Sequence, residues 1–536
     1  MKKYKQPDTN RNQLSLFADR LDDHIAQNSI VRAIDAYVEM IDLAAAGFME
    51  PKPKKSSSKK TNPSAAGQPA YHPKYLLKLY LYGYINSIRS SRKLETECHR
   101  NIEVLWLMEH QKPSFMTIAS FRQHYGKALI KVNRDFLGIC KSLKALELPN
   151  LVALDGSFFK ANASKKSIIT EKKLTAHAKK IQTEIERYYQ ELDRIDEQEA
   201  TQETKIQDED LVAKIKAVQA ERKAMLKKNL KAAETKLARR QADLKRLKAQ
   251  AKEAGKATTQ ESQTDPDAKL LAKNGQLVVG YNVQMVTDSK QKFIIESEVT
   301  TESTDIDLLY PMAAKAQTSL TDLFRLKSSQ AATEALDLML LADKGYYNFT
   351  HLAQCEQANI NAYVPEVQRD SCSVKANRFS QKDFIYQEDT NTYLCPNDQQ
   401  LAPSGKPEFK NGQLRQRYRI SRRNCNGCSL MSRCYTSGSH SKSLSRSEHQ
   451  EVVERHRAKM QALDSSFYAQ RAGMVEHPFG TLKNRAGWRH FLVRGLEKVR
   501  GEWSLMALGY NFTRLLNIVG IETFINYCQL QAQTAA

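Results

Sequence analysis

A chain of 536 residues exceeds what one compact core usually holds, and at about 150 residues per domain it has room for roughly three or four structural units. Its 41% hydrophobic and 26% charged residues exclude a wholly disordered chain and a membrane-embedded one. The 82 Lys plus Arg against 60 Asp plus Glu leave a formal net charge of +22, which suits a polyanionic partner without choosing among DNA, RNA and anionic lipid.

Residues 1–12 carry lysines with no apolar stretch behind them, so they do not read as a secretory signal and a cytoplasmic protein is expected. Over residues 21–48, Ile25, Ile30, Val31, Ile34, Val38 and Ile41 recur at the spacing of an amphipathic helix. Residues 51–69, rich in Lys, Ser and Pro, read as a linker. Helical patterns return over 73–137, as short helices joined by brief turns, which is what a helix-turn-helix unit needs. Arg89, Arg92, Lys93, Arg100 and Arg122 lie among them, where they could reach phosphates or base edges. Any solvated helical bundle carries such basic residues too, so DNA contact is expected of the region rather than of each side chain.

Around Leu151 the pattern changes. Leu151, Val152, Ala153 and Leu154 form a continuous apolar run ending in Asp155-Gly156, the signature of a buried strand with a carboxylate at its end. No Gly or Pro occurs from residue 157 to 254, and apolar residues from Leu174 to Ile195 and from Leu211 to Leu247 keep heptad-like spacing. Two long helices in an antiparallel coiled-coil hairpin are the simplest reading. Apolar stretches at 276–286 and 292–299 flank turn residues and predict a hairpin. Then Leu338, Met339, Leu340, Leu341 and Ala342 lead into Asp343, repeating the strand-then-aspartate arrangement. Residues 467–482 and 499–519 read as helical, and the apolar segment 504–525 is interrupted by Asn511, Arg514, Asn517 and Glu522, unlike a membrane span.

An aspartate after a strand is ordinarily a turn former or a helix cap. Two of them on buried strands, followed by a helix carrying Glu476 among basic residues, carry more. If the strands are parallel neighbours, Asp155 and Asp343 stand side by side and the helix adds the third carboxylate. Such crowded charges are stable mainly when cations neutralise them, and oxygen-only ligands suit two Mg²⁺ or Mn²⁺ ions. That pair activates a water or 3′-hydroxyl for in-line displacement at a phosphodiester.

Nine cysteines, an odd number without a secretion signal, argue against a disulfide framework. Cys425 and Cys428 have the gap that lets two thiolates reach one ion, and Cys434 and Cys395 complete a four-thiolate set for one structural Zn²⁺. The plainer reading is four reduced thiols in a loop.

The motifs Val152-Ala-Leu-Asp-Gly-Ser157 with Lys160-Ala-Asn-Ala163, Gly280-Tyr-Asn-Val-Gln284, Ala342-Asp-Lys-Gly-Tyr346 and Val475-Glu-His-Pro-Phe-Gly-Thr-Leu-Lys483 resemble those of the DDE transposases of bacterial insertion sequences, in the branch with a helical N-terminal domain and a cysteine cluster before the glutamate. The resemblance runs through nearly the whole chain. It implies an α/β fold: an RNase H-like catalytic core with Asp155 on the first strand, Asp343 after the fourth and Glu476 on a late helix. Tyr468, Arg471, Glu476 and Lys483 resemble the Tyr, Arg, Glu, Lys series of related enzymes, with Arg471 five residues before the glutamate instead of four. Lys483 is expected to meet a DNA phosphate, as is Arg471.

The layout expected is an N-terminal helical segment at 1–50, a linker at 51–70, a helical DNA-binding domain at 71–145, and a catalytic domain at 150–530. The catalytic domain carries a coiled-coil insertion at 165–260 and a small Cys-rich insertion, read as a zinc ribbon, at 370–450. The implied partners are double-stranded DNA, both the terminal inverted repeats and the target, and further copies of the chain assembled on it. No membrane is implied, and the expected location is the cytoplasm at the nucleoid. A related nuclease that cleaves without joining, and a catalytically silent DNA-binding descendant, remain the alternatives. Three intact carboxylates count against the second.

Overall fold

The computed structural model describes residues 20–48, 70–202, 209–253, 260–273, 275–325, 336–366, 378–410, 413–434 and 442–535. The basic stretch 1–12 and the linker at 51–69 fall outside them, as do parts of 196–210 and of the Cys-rich 370–450 segment.

The N-terminal region is helical: α1 (Ile30–Met40), α2 (Pro73–Ile85), α3 (Ser91–Arg100), α4 (Ile102–Leu107), α5 (Phe115–His124) and α6 (Gly126–Ser142). Local chemistry sets several of their starts. The Ser29 hydroxyl accepts from Val31 N to cap α1, Ser114 caps α5 in the same way, and Pro73 opens α2 where a missing N–H costs nothing. Lys78, only 1% exposed, ties α2 to α1 by reaching Asp35 at 2.6 Å and Glu39 at 2.5 Å.

The apolar run at 151–154 opens strand β1 (Leu151–Lys160), with all four side chains buried. A strand buried on both faces needs helices on both sides of its sheet. A hairpin of two long helices follows it, α7 (Glu171–Gln202) and α8 (Glu209–Glu253). They lie antiparallel, with Leu174 beside Leu244 and Leu247 near the base and Leu192, Ile195 and Leu226 farther out. Strands β2 (Lys269–Lys273), β3 (Gln276–Asp288) and β4 (Ile294–Thr300) come next, both β2 and β4 pairing antiparallel with β3. Helix α9 (Leu309–Phe324), strand β5 (Leu338–Ala342), helix α10 (Phe349–Gln357) and strand β6 (Ile360–Tyr363) complete the sheet. Its order is β2-β3-β1-β5-β6, with β4 also on β3; β1 is antiparallel to β3 and parallel to β5, and β5 is parallel to β6.

On one face Val152, Leu154, Leu338 and Leu340 pack against Leu309, Met312 and Leu320 of α9 and Leu352 of α10. On the other, Leu151, Ala153 and Leu341 meet Met474 and Val475 of α12 (Ser465–Gly480), which follows α11 (Gln450–Gln461). The Cys-rich segment forms a second, six-stranded antiparallel sheet between β6 and α11.

Helix α13 (Leu496–Val519) joins the two halves. With α14 (Ile521–Ala535) it packs against the N-terminal helices, and Tyr37, Phe136, Phe512 and Phe524 form one aromatic cluster. The α6 and α13 backbones cross so closely that a Cβ at Gly501 would lie 2.5 Å from the Gly126 Cα. The next residue, Glu502, is fully buried; its Oε2 accepts from Leu492 N at 2.8 Å and Val493 N at 3.1 Å, while Arg122 and Arg89 reach its Oε1 at 3.6 and 3.8 Å. A carboxylate this deep is tolerable because three hydrogen-bond donors, the Tyr84 hydroxyl at 3.4 Å being the third, and two guanidinium charges converge on it, and breaking such a buried pair costs about 3–5 kcal/mol. Burial lowers the basicity of Arg122, but Glu502 and Tyr84 outweigh it and the group is held firmly cationic. Among the described residues no helix is long and apolar enough to cross a membrane.

Candidate active site

The register of two strands builds the site. Leu154 pairs with Ala342 across the parallel β1–β5 ladder, so the residues that follow, Asp155 and Asp343, stand next to each other. Asp155 Oδ1 accepts from Gly156 N at 2.9 Å, and Asp343 Oδ1 accepts from Lys344 N at 2.8 Å, capping the turn Lys344–Tyr346.

Helix α12 crosses this end of the sheet and is pinned at three points. The Tyr468 hydroxyl donates to Ala342 O at 2.9 Å, Arg471 Nη1 stands 3.7 Å from Asp155 Oδ1, and Lys483, just past the helix, donates to the Ser157 hydroxyl and to Phe158 O. Glu476 lies between the contacts at Arg471 and Lys483 and is exposed. Arg471 Nη1 is buried without a hydrogen-bond acceptor, so its attraction to Asp155 is charge on charge. Burial raises the Tyr468 phenol above its usual range, with the Asp343 and Asp155 charges adding and Arg471 opposing.

Pro478 sits inside α12, where its missing N–H leaves the carbonyl of Met474, four residues back, without its helical donor. The buried Thr287 hydroxyl of β3 donates to that carbonyl at 3.2 Å. The helix therefore continues past the proline into a π turn, Thr481–Arg485, which carries Lys483 back to β1.

Behind the aspartates, on the opposite face of the sheet, lies a polar network. Gln284 Nε2 donates to Asp305 Oδ1 at 2.8 Å and to Asn282 Oδ1 at 3.1 Å, Asn282 Nδ2 donates to Asp305 Oδ1 at 2.7 Å, and the Tyr346 hydroxyl donates to Gln284 Oε1. Burial, then Asp305 and Asp155, hold the Tyr346 phenol far above its usual range, so it remains a donor. A Cβ at Gly156 would lie 2.7 Å from Asp305 Oδ1 and 3.0 Å from the Tyr346 hydroxyl, which explains a glycine directly after Asp155. Asn282, Gln284 and Tyr346 belong to recognisable motifs, but Asp305 and Thr287 stand in stretches with no sequence signal for their parts.

The remaining sequence-predicted residues divide. Arg92 and Lys93 are exposed on α3. Arg89 and Arg122, 8% and 4% exposed, are the partners of Glu502 in the interior and turn no charge outward. Lys483 is half-buried over the Phe159 ring. Cys395, Cys425, Cys428 and Cys434 line one small cavity, and Cys395 Sγ accepts from Asn397 N at 3.4 Å and Gln399 N at 3.3 Å. Burial raises the Cys425 and Cys434 thiols. Among the described residues no three His, Cys, Asp or Glu side chains are close enough to hold one metal ion, at the carboxylates or at the cysteines.

Two family profiles match the chain: "Transposase DDE domain" over residues 394–516, and "Transposase domain (DUF772)" over 19–124. The first contains Glu476 and Lys483 and begins after Asp155 and Asp343; the second spans α1 to α5. No curated protein and no solved structure matches. The two matches define a transposase. Together they indicate a DDE-type transposase of an insertion sequence.

The bond between Thr287 and the carbonyl freed by Pro478 generates a prediction. Thr287→Val leaves a buried acceptor without a donor and is expected to cost about 1–3 kcal/mol. In a Pro478→Ala background residue 478 regains an N–H for Met474 O, so the cost shrinks, and thermal midpoints taken as a double-mutant cycle should show coupling of about 1 kcal/mol. Equal costs in both backgrounds would contradict this account of the helix.

Proposed function

We propose that the protein binds the ends of its insertion sequence and catalyses metal-dependent DNA strand cleavage and strand transfer, with Asp155, Asp343 and Glu476 as the catalytic carboxylates. The observation that carries the reading is the adjacency of Asp155 and Asp343 on parallel strands under a helix bearing Glu476. The order β4-β3-β1-β5-β6, three antiparallel strands followed by two parallel ones, is read as an RNase H-like core. The helical segment at 71–145 is read as the DNA-binding domain, with Arg92 and Lys93 offered to phosphates, and the helical hairpin as a coiled coil. Working copies are proposed to assemble on DNA at the nucleoid.

The donor set is oxygen only, which fits Mg²⁺ or Mn²⁺. Two such ions supply activation of the attacking water or 3′-hydroxyl and neutralise the leaving oxygen. The chain's own part is positional. The β1–β5 ladder fixes both aspartates, the pinned helix carries Glu476 on an exposed surface, and Arg471 offsets part of the Asp155 charge. Asp155→Ala, Asp343→Ala and Glu476→Ala are each expected to reduce Mg²⁺-dependent cleavage of element-end DNA to background while binding stays within a few-fold of wild type in a gel-shift titration. Near-normal cleavage by any one of them would sink the assignment.

The four cysteines are read as a structural zinc site. The support is their shared cavity, with two backbone N–H groups donating to Cys395 Sγ. Four thiolates leave no open position, so this ion serves the fold and no step of the reaction. Metal analysis of protein purified without added zinc should find about one equivalent per chain, lost when Cys425 and Cys428 become Ser. Zinc-free wild-type protein, with a double variant of unchanged thermal stability, would remove the site.

A further inference from the structure

We infer that the cleft at the far end of β1, floored by Lys160 and walled by Lys165 and Arg494, holds the sugar-phosphate backbone of duplex DNA. This deepens the functional reading above and rests on it.

The cleft measures about 970 Å³, and among the described residues its lining contains no carboxylate. Lys160, Lys165 and Arg494 supply the charge, and Asn162 and His490 add polar groups. Lys160, Lys165 and Arg494 are exposed, and neither lysine has an ion-pair partner among the described residues. Lys131 with Asp135 at 2.6 Å and Lys290 with Glu147 at 2.5 Å show the contrasting, paired arrangement. Unpaired like charges held together repel one another, and a polyanion relieves that repulsion by releasing its own counterions.

The walls are built rather than incidental. The segment after the π turn runs beside the end of β1: Lys160 N donates to Arg489 O at 3.0 Å, Phe491 N donates to Lys160 O at 2.8 Å, and Lys160 and His490 form a parallel bridge. Asn162 Nδ2 donates to Leu492 O at 3.0 Å, and Arg494 Nε donates to Asn162 O at 3.1 Å, which fixes the guanidinium with its remaining N–H groups available. On the other side Ala161 N donates to Val279 O at 2.9 Å, joining the end of β1 to β3.

Position favours duplex DNA over a small anion. Lys160 is five residues along β1 from Asp155, about 16 Å at the rise of a strand, and thus about five base pairs of duplex. Five residues along an unbroken ladder put the Lys160 side chain on the face opposite Asp155, so the cleft would take DNA flanking the reacting phosphate around the end of β1.

The test is the salt dependence of binding, read by fluorescence anisotropy on a mixed-sequence duplex about three helical turns long. Lys160→Gln with Lys165→Gln is expected to flatten the slope of log K against log salt by roughly 1.8, or 0.9 per phosphate contact, while Lys160→Arg with Lys165→Arg keeps it. Lys165→Gln alone, expected to flatten it by roughly 0.9, serves if the double variant does not fold. Lys131→Gln with Lys290→Gln removes the same charge elsewhere and is expected to leave the slope unchanged. An unchanged slope in the cleft variants, or an equal loss in the control pair, overturns the inference while wild-type cleavage leaves the broader reading intact. A wild-type chain that neither binds nor cleaves DNA overturns both.

Discussion

The parallel pairing of β1 with β5 is the constraint on which the site depends. Side chains alternate along a strand, so a slip of one residue in this ladder would turn Asp155 or Asp343 to the opposite face of the sheet. The register is held by apolar burial: Val152, Leu154, Leu338 and Leu340 fill one face, Leu151, Ala153 and Leu341 the other. What looks like generic strand composition therefore fixes the relation between two charged groups far apart in sequence. The network of Asn282, Gln284, Asp305 and Tyr346 backs the same pair from behind, joining β3 and the loop after β4 to the turn that follows Asp343.

A second constraint lies deeper. Glu502 draws donors from the loop at 492–493 and guanidinium groups from the helical region, so the N-terminal helices and the sheet share one core through α13. The close crossing of Gly126 and Gly501 brings the two parts together beside it. DNA held by the N-terminal helices would thus be placed relative to the carboxylates by packing, without a flexible joint between α6 and β1.

Much of this was legible in the sequence wherever periodicity and burial coincide. The run at 151–154, the hairpin over 276–299, the run before Asp343 and the long polar helices of the insertion all show their pattern locally. The roles of Arg89 and Arg122 were not legible, because a buried arginine and a phosphate-binding one look alike until the partner is known, and Glu502 lies about four hundred residues away in a helix of its own. Pro478 was equally opaque. A proline inside a helix predicts a break, and only the Thr287 hydroxyl, reaching across from β3, explains why α12 continues. Lys483 then meets Ser157 through a π turn that no heptad count anticipates.

The central claim is that adjacent strand ends make Asp155 and Asp343 one metal-binding unit. Titration of the DNA-free protein with Mn²⁺, followed by electron paramagnetic resonance, tests it without relying on turnover. The account predicts that Asp155→Asn and Asp343→Asn, each nearly isosteric, will separately abolish the Mn²⁺ binding of the wild-type chain; wild-type binding in either single variant would contradict it.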